Sequence, residues 1–303
     1  MPVSLDCILC LARQSLEAAR FASDDPATHE RVLRKVLTLV QDEGFTEIPP
    51  IVAQSVQRIV RSETGNADPY AIPKRRFNDL MLGLREALRE RIRSSPCPME
   101  TAVRLAIAGN TIDFAMRADL DERIIHEAIE TSLRQPINGS VEMFASAVSS
   151  AKNILYLLDN CGEIICDQLL MEEILRLPNP PKIVAVVRGA AVINDATRTD
   201  AEQIGLSQTV PVIDNGNDGV GTILEQCGDE FRERFLVSDL LISKGLANYE
   251  TLVEYDERSL WQQICYLFKA KCAFIASYAG VALGDLVLRQ KFAPPVAEAD
   301  KIV

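Results

Sequence analysis

From about residue 150 onward the chain carries short, unbroken apolar runs, each ended by polar or turn-forming residues. Ile154-Leu155-Tyr156-Leu157-Leu158 ends in Asp159-Asn160, and Ile183-Val184-Ala185-Val186-Val187 ends in Arg188-Gly189. Such a run has no polar face, so it fits a strand covered on both sides rather than one half exposed to water. Val210 to Ile213 and Leu240 to Ser243 read as two further strands. Helix-length stretches lie between them, such as Glu163 to Leu177, closed by Pro178-Asn179-Pro180-Pro181. This alternation predicts an α/β fold, a doubly wound and mostly parallel sheet in a Rossmann-like three-layer arrangement, spanning residues 151–303. Residues 293–303 read as a tail.

The first 150 residues have a different rhythm. Leu5, Ile8, Leu9, Ala12 and Leu16 recur at helical spacing, as do Val32, Leu33, Val36, Leu37 and Val40, with Gly44 as a stop. Pro49-Pro50 opens a run from Ile51 to Val60 that ends near Gly65. A charged segment from Lys74 to Arg93 places Phe77, Leu80, Leu84 and Leu88 on one face, and Pro96 and Pro98 then bracket Cys97. Residues 1–150 are therefore expected to form a helical domain packed beside or over the sheet and contributing to its cleft.

Composition narrows the function. With 48% hydrophobic and 25% charged residues the chain is an ordinary globular sequence, and no apolar run approaches membrane-spanning length. A net charge of −11 disfavours general nucleic-acid binding, although a metal or a lysine can reverse the field inside one pocket. Met-Pro-Val-Ser-Leu-Asp-Cys lacks the basic start and apolar run of a secretory signal, so a cytoplasmic location is the default expectation. The eight cysteines of such a chain are expected as reduced thiols. Nothing in the sequence sets the oligomeric state.

In open parallel sheets ligands bind beyond the carboxyl ends of the strands, so polar residues just after apolar runs carry the candidate chemistry. Asp159-Asn160, followed by Gly162 and Glu163, offers a carboxylate and an amide oxygen to a hard cation; the same dipeptide is also a common helix cap. Asn194-Asp195 lies in the segment that directly follows the second strand, with Asp195 36 residues after Asp159, about one strand-helix-strand unit, so adjacent parallel strands would bring the two loops together; it too could cap a helix holding Thr199 and Asp200. Lys244-Gly245, after a further strand, suits a phosphate through a cation and exposed backbone N–H groups, or is a turn with a solvated lysine. Gly109-Asn110 with Asp113 either breaks an apolar helix or aims polar groups into the same cleft, and Glu163 and Asn194 are expected to line it as well.

Ligand type selects the metal. The chain has two histidines, His29 and His126, neither near another donor in sequence, so zinc-enzyme spacings are absent. Carboxylate and amide oxygens favour Mg²⁺ or Mn²⁺, with Co²⁺ or Ni²⁺ tolerated. Cys7-Ile8-Leu9-Cys10 is a CxxC without a second CxxC. It binds metal with Cys97, forms a redox pair, or is simply buried.

Taken together these segments resemble the damage-control phosphatase family, metal-dependent proteins once known only as a domain of unknown function. The resemblance runs over nearly the whole chain. It rests on Asp-Asn-x-Gly-Glu at 159–163, Asn-Asp-Ala-Thr at 194–197, Lys-Gly-x-x-Asn-Tyr-Glu at 244–250 and Gly-Asn-x-x-Asp at 109–113. The early CxxC and Asp68-Pro69-Tyr70 look like the microbial branch. The resemblance implies that Asp159, Asn160 and Asp195 bind the metal. It implies that Leu246, Ala247, Asn248, Tyr249 and Glu250 contact substrate, with Lys271, or its neighbour Lys269, as the distal lysine. In the eukaryotic branch an arginine stands where this chain has Glu250, so substrate preference does not transfer directly. The implied activity is hydrolysis of a small phosphorylated metabolite. The charge of the breaking phosphorus–oxygen bond would be met by Lys244 or Lys271 and by N–H groups near Gly245, with water attacking rather than Asp159.

Two other readings compete. A carboxyl methyltransferase needs a glycine-rich loop after its first strand, and the Asp159 loop has one glycine. A non-catalytic module binding a nucleotide or sugar phosphate lacks its GxGxxG loop there. The nearest glycine-rich stretch, Asn215 to Gly221, comes late in the sheet.

Overall fold

The computed structural model describes residues 4–109, 122–258 and 263–291. Three helices open the chain: α1 (Leu5–Ala22), α2 (Pro26–Glu43) and α3 (Pro49–Thr64). Each start has a local cause. The Ser4 side chain accepts from the Asp6 N–H to cap α1, Asp25 accepts from Ala27 and Thr28 to cap α2, and prolines sit in the first turns of α2 and α3. The heptad-like valines of α2 and α3 meet α1 through Leu11, Ala18 and Ala19, and this cluster also takes in Tyr70, Val192 and Val220 from elsewhere. The three helices are thus seated on loops of the sheet domain.

The chain continues through α4 (Ala71–Arg93), α5 (Pro98–Gly109), α6 (Glu122–Arg134), β1 (Ile137–Gly139) and α7 (Val141–Ser150). Then comes the expected alternation: β2 (Asn153–Leu157), α8 (Glu163–Ile174), β3 (Lys182–Val187), α9 (Arg198–Gln203) and β4 (Val212–Asp214). It ends with α10 (Asp229–Val237), β5 (Leu240–Lys244), α11 (Gly245–Arg258), β6 (Gln263–Lys269), α12 (Ala273–Ala279) and β7 (Leu286–Lys291). The seven strands form one sheet in the order β1-β7-β6-β5-β2-β3-β4, parallel throughout except for the antiparallel β6–β7 pair.

The continuous apolar runs are explained by burial on both faces. In β2, Ile154 and Tyr156 enter the core beneath α4, α5 and α8, while Leu155 and Leu157 enter the core beneath α10 and α11. β5 divides its leucines and isoleucine the same way. The result is the three-layer, mostly parallel α/β fold that the sequence predicts.

Three strands escaped the sequence reading. β1 has only three residues, and β6 hides a cysteine and two aromatic residues in a run the sequence pattern did not single out. β7 pairs antiparallel with β6 and ends in Arg289, Gln290 and Lys291, which read as surface. β4 falls slightly later than expected because Pro211, which has no N–H to donate, serves only as an acceptor for Ala185. The expected tail, residues 293–303, lies outside the described residues. Among the described residues no helix is long and apolar enough to cross a membrane.

The winding direction changes between β2 and β5. From β2 the chain moves toward β3 and β4, and from β5 it moves toward β6, although β2 and β5 are paired neighbours. Loops leaving those two strands therefore part, and the gap at their carboxyl ends is where such sheets bind ligands.

Candidate active site

A cavity of about 470 Å³ opens at that gap. Asp159 and Asn160 reach it from the end of β2, and Asn194 and Asp195 from the loop after β3. Leu246, Ala247 and Glu250 reach it from the first turns of α11, and Lys271 from the segment after β6.

The two acidic loops are joined along their backbones. Asn160 and Asp195 form an isolated antiparallel bridge, Cys161 N–H donates to Asn194 O at 2.9 Å, and Ala196 N–H donates to Asp159 O at 2.8 Å. Neither aspartate is spent on capping. The cap of α8 is Gly162, with no side-chain bond, and α9 starts on a capping box between Thr197 and Asp200. Ile193 sits at φ 46°, a left-handed conformation that a β-branched residue adopts only when its surroundings enforce it. That turn sets the direction of Asn194 and Asp195.

The carboxylates are buried, at 5% exposure for Asp159 and 3% for Asp195. A single guanidinium spans them. Arg188 Nε donates to Asp195 Oδ2 at 2.6 Å, Nη2 lies 3.5 Å from Asp159 Oδ1, and Nη1 donates to Asn248 Oδ1 at 3.2 Å. Burial pushes the Asp159 carboxyl well above the usual carboxylate range, and the charges of Asp195 and Glu163 push it further, against the pull of Arg188 and Lys271. Burial also raises Asp195, opposed by Arg188.

Gly245 explains how α11 can start so close. Its φ is +79°, and a Cβ there would stand 1.8 Å from Asp159 Oδ2. Gly245→Ala is therefore expected to displace the Asp159 carboxylate and cost stability together. Thermal unfolding and a crystal structure of the variant test this, and an unmoved Asp159 would contradict it.

Other expected residues lie behind the cavity rather than on it. Lys244 is fully buried. Its Nζ contacts Glu163 Oε1 at 2.5 Å, Asp167 Oδ1 at 2.7 Å and Ala106 O at 2.7 Å. Glu163 accepts from Asn160 Nδ2 at 3.2 Å, and Asn160 Nδ2 also donates to Asp159 Oδ2 at 2.7 Å. Lys244 thus fixes Glu163, and Glu163 fixes Asn160, with no solvated lysine at the strand end. Asn248 donates to Leu158 O and Lys244 O and accepts from Arg188 and Thr222, tying α11 to both sheet loops. Tyr249 packs against Tyr266 and Phe268 in the far core. Asn110 and Asp113 lie outside the described residues.

The sequence reading missed several contributors. Arg188 obeyed the same rule as Asp159, a polar residue directly after an apolar strand, and was passed over. The roof of the cavity, drawn from α1 and the start of α3 with Tyr70, had no signal beyond the CxxC and Asp-Pro-Tyr motifs. The loop at 215–221 is held from α3. Asp218 receives Arg58, Arg61 and Gln54, and the bonded Arg58 together with Gln54 lowers its carboxyl to about 2 against the burial that would raise it.

Among the described residues no group of three or more His, Cys, Asp or Glu stands ready to hold an ion. An ion at this cavity would need an amide oxygen beside the two carboxylates, and Asn160, its nitrogen turned onto Asp159 and Glu163, keeps Oδ1 for that role. Charge also fits. The described residues here place five buried carboxyls, Asp159, Glu163, Asp167, Asp195 and Asp200, around three buried cations, Lys74, Arg188 and Lys244. A divalent cation would balance the difference.

Fold and site together define an α/β protein with an acidic, oxygen-donor cleft at the switch point of its sheet. Residues 3–287 match the damage-control phosphatase ARMT1-like domain. An uncharacterised protein of Methanocaldococcus jannaschii is 35% identical over 292 residues, covering 94% of each chain. A damage-control phosphatase of Archaeoglobus fulgidus is 32% identical over 295 residues, covering 95% of this chain and 99% of that one. The crystal structure of a DUF89 family protein from Pyrococcus horikoshii superposes with a TM-score of 0.86 at 30% identity, covering 96% of this chain and 99% of the other. The chain belongs to the damage-control phosphatase family.

Proposed function

We propose that this protein is a divalent-metal-dependent phosphatase that hydrolyses monoesters of small phosphorylated metabolites. The observation that carries the reading is the convergence of Asp159 and Asp195, buried and backbone-linked, on one cavity at the carboxyl ends of β2 and β3. The family to which the chain belongs supports the phosphatase part.

Asp159, Asn160 and Asp195 would hold Mg²⁺ or Mn²⁺, with Co²⁺ or Ni²⁺ accepted by the same oxygens. The bound ion would supply a Lewis acid for a phosphoryl oxygen. Arg188 opposes the burial that raises the two carboxyls and holds them aligned, and Lys271, which also lines the cavity, would offset the negative charge that develops on the leaving oxygen. Water is the attacking nucleophile, since the Asp159 carboxylate is committed to holding its neighbours. Burial pushes the Glu250 carboxyl up to about 8, so at neutral pH it is largely protonated and can donate a hydrogen bond to a substrate hydroxyl. The cavity volume suits a small metabolite, and Leu246, Ala247, Val220 and Ile275 give it apolar walls.

The test is a phosphatase screen over a metabolite panel with each of the four metals added to chelator-treated protein. Turnover should require metal, and Asp195→Ala should lower kcat by at least about 100-fold with a smaller change in KM. Metal-independent turnover, or full kcat in the variant, would refute the assignment.

A further inference from the structure

Three of the eight cysteines line the cavity although they come from opposite ends of the chain: Cys7 and Cys10 on α1, and Cys272 directly after Lys271. All three are half-buried and carry no disulfide. Glu250, Cys272 and Cys10 all lie within electrostatic reach of Cys7, so these groups share one end of the cavity. Of the other cysteines, Cys161, Cys166, Cys227 and Cys265 are buried, and Cys97 is exposed and does not line the cavity.

We propose that Cys7 and Cys272 are a redox modification site, whose reversible disulfide staples α1 to the segment leading into α12 and narrows the mouth of the cavity.

The choice of pair is geometric. Cys7 and Cys10 stand three residues apart on a helix, where Cβ atoms are about 5–6 Å apart, whereas a disulfide needs about 3.5–4.5 Å. Closing that pair would unwind a first turn held by the Ser4 cap and by the Cys7 N–H bond to Ser4 O. Cys272 belongs to a different segment, the one leading into α12, so joining it to Cys7 across the shared cavity requires no break in the hydrogen bonds of α1. A thiol-held metal is the weaker use of these groups, because among the described residues no three His, Cys, Asp or Glu side chains are grouped closely enough to hold one.

The oxidant is a hydroperoxide. The Cys272 sulfur attacks a peroxide oxygen, the O–O bond breaks, and the products are a sulfenic acid and water or an alcohol. The Cys7 thiol then attacks that sulfur. The S–S bond forms, the S–O bond breaks, and hydroxide leaves with the Cys7 proton as water. Burial holds the Cys7 thiol above its ordinary pKa, which suits it to the second, condensing role rather than the first. In a reducing compartment such a bond is transient, as a switch requires.

Treating the full-length chain with hydrogen peroxide tests this. Two of the eight thiols should disappear, and a non-reducing digest should yield a Cys7–Cys272 linked peptide that a dithiol reductant removes. The thermal midpoint should rise by more than about 5 °C, because the bond closes nearly the whole chain into a loop. Aryl-phosphate turnover should fall several-fold and return on reduction. Cys272→Ser should lose the linked peptide and any peroxide-dependent fall, whatever its starting turnover, while Cys97→Ser behaves as wild type. A Cys7–Cys10 link, or Cys7 and Cys272 still reduced at peroxide levels that oxidise the exposed Cys97, would overturn the inference. If the untreated protein turned over no phosphate ester, the phosphatase reading would fall, and the linked peptide would still decide this one.

Discussion

Lys244→Met will destabilise the fold by roughly 3–5 kcal/mol, among the largest losses available to a single substitution here. The lysine is wholly enclosed, and its ammonium is shared by Glu163, Asp167 and the Ala106 carbonyl. Methionine keeps most of the volume but leaves two carboxyls facing each other without a cation. Burial already raises Asp167 to about 7 even with Lys244 opposing it, so removing the lysine raises that carboxyl further. A carboxyl whose folded pKa lies above its unfolded value binds more protons in the folded state, so its contribution falls as pH rises. The deficit of the variant should therefore be smallest below about pH 7, where Asp167 is protonated with or without the lysine, and should widen as pH rises above 7, with the melting midpoint down by roughly 10 °C at pH 8. Adding Glu163→Gln should recover part of the loss. An unshifted midpoint at pH 8 would show that the buried pair carries no such energy.

Lys244 also shows where reading a sequence stops. A lysine directly after an apolar strand, followed by glycine, has the pattern of a phosphate holder, and the strand and the glycine are both where the pattern puts them. Whether the ammonium points outward or back depends on what lies beneath it. Here Glu163 and Asp167, one turn apart on α8, draw it inward. Contacts of that kind join segments far apart in the chain and leave no local mark. Asp159 and Asp195 were legible because strand ends and loop spacing are local properties, and topology then brings paired strands' loops together. β6 and β7 were not, because a cysteine and two aromatic residues in β6 and the charged end of β7 interrupt the aliphatic run that marks a buried strand. The cavity roof was harder still. Helical periodicity locates the buried stripe of α1, but Asp6, Cys10 and Arg13 face the cavity from the sides of that stripe, where periodicity carries no signal.

Asp159→Asn should separate function from stability within one residue. The asparagine keeps the shape that fits against Gly245 and can still accept from Asn160, but it removes a charge that burial, Asp195 and Glu163 all oppose. In metal-free protein the substitution should raise stability by about 0.5–2 kcal/mol, as relief of a strained functional site commonly does. The sign with pH follows. The folded pKa of Asp159 lies above the unfolded value of about 4, so wild-type stability declines as pH rises through that interval. The variant lacks this slope, and its advantage should vanish near pH 4 and widen toward neutral and alkaline pH. Adding Mn²⁺ should reverse the ranking. Wild type should gain about 2.7 kcal/mol at a free metal concentration a hundred times its Kd, and the variant should gain far less. Turnover should fall by more than about 100-fold, since a neutral amide is a poor substitute for a carboxylate at a hard cation. Melting curves with and without metal, at two pH values, decide the matter. A variant that is less stable than wild type without metal, yet equally stabilised by Mn²⁺, would mean that Asp159 is a structural carboxylate and that any ion is held elsewhere.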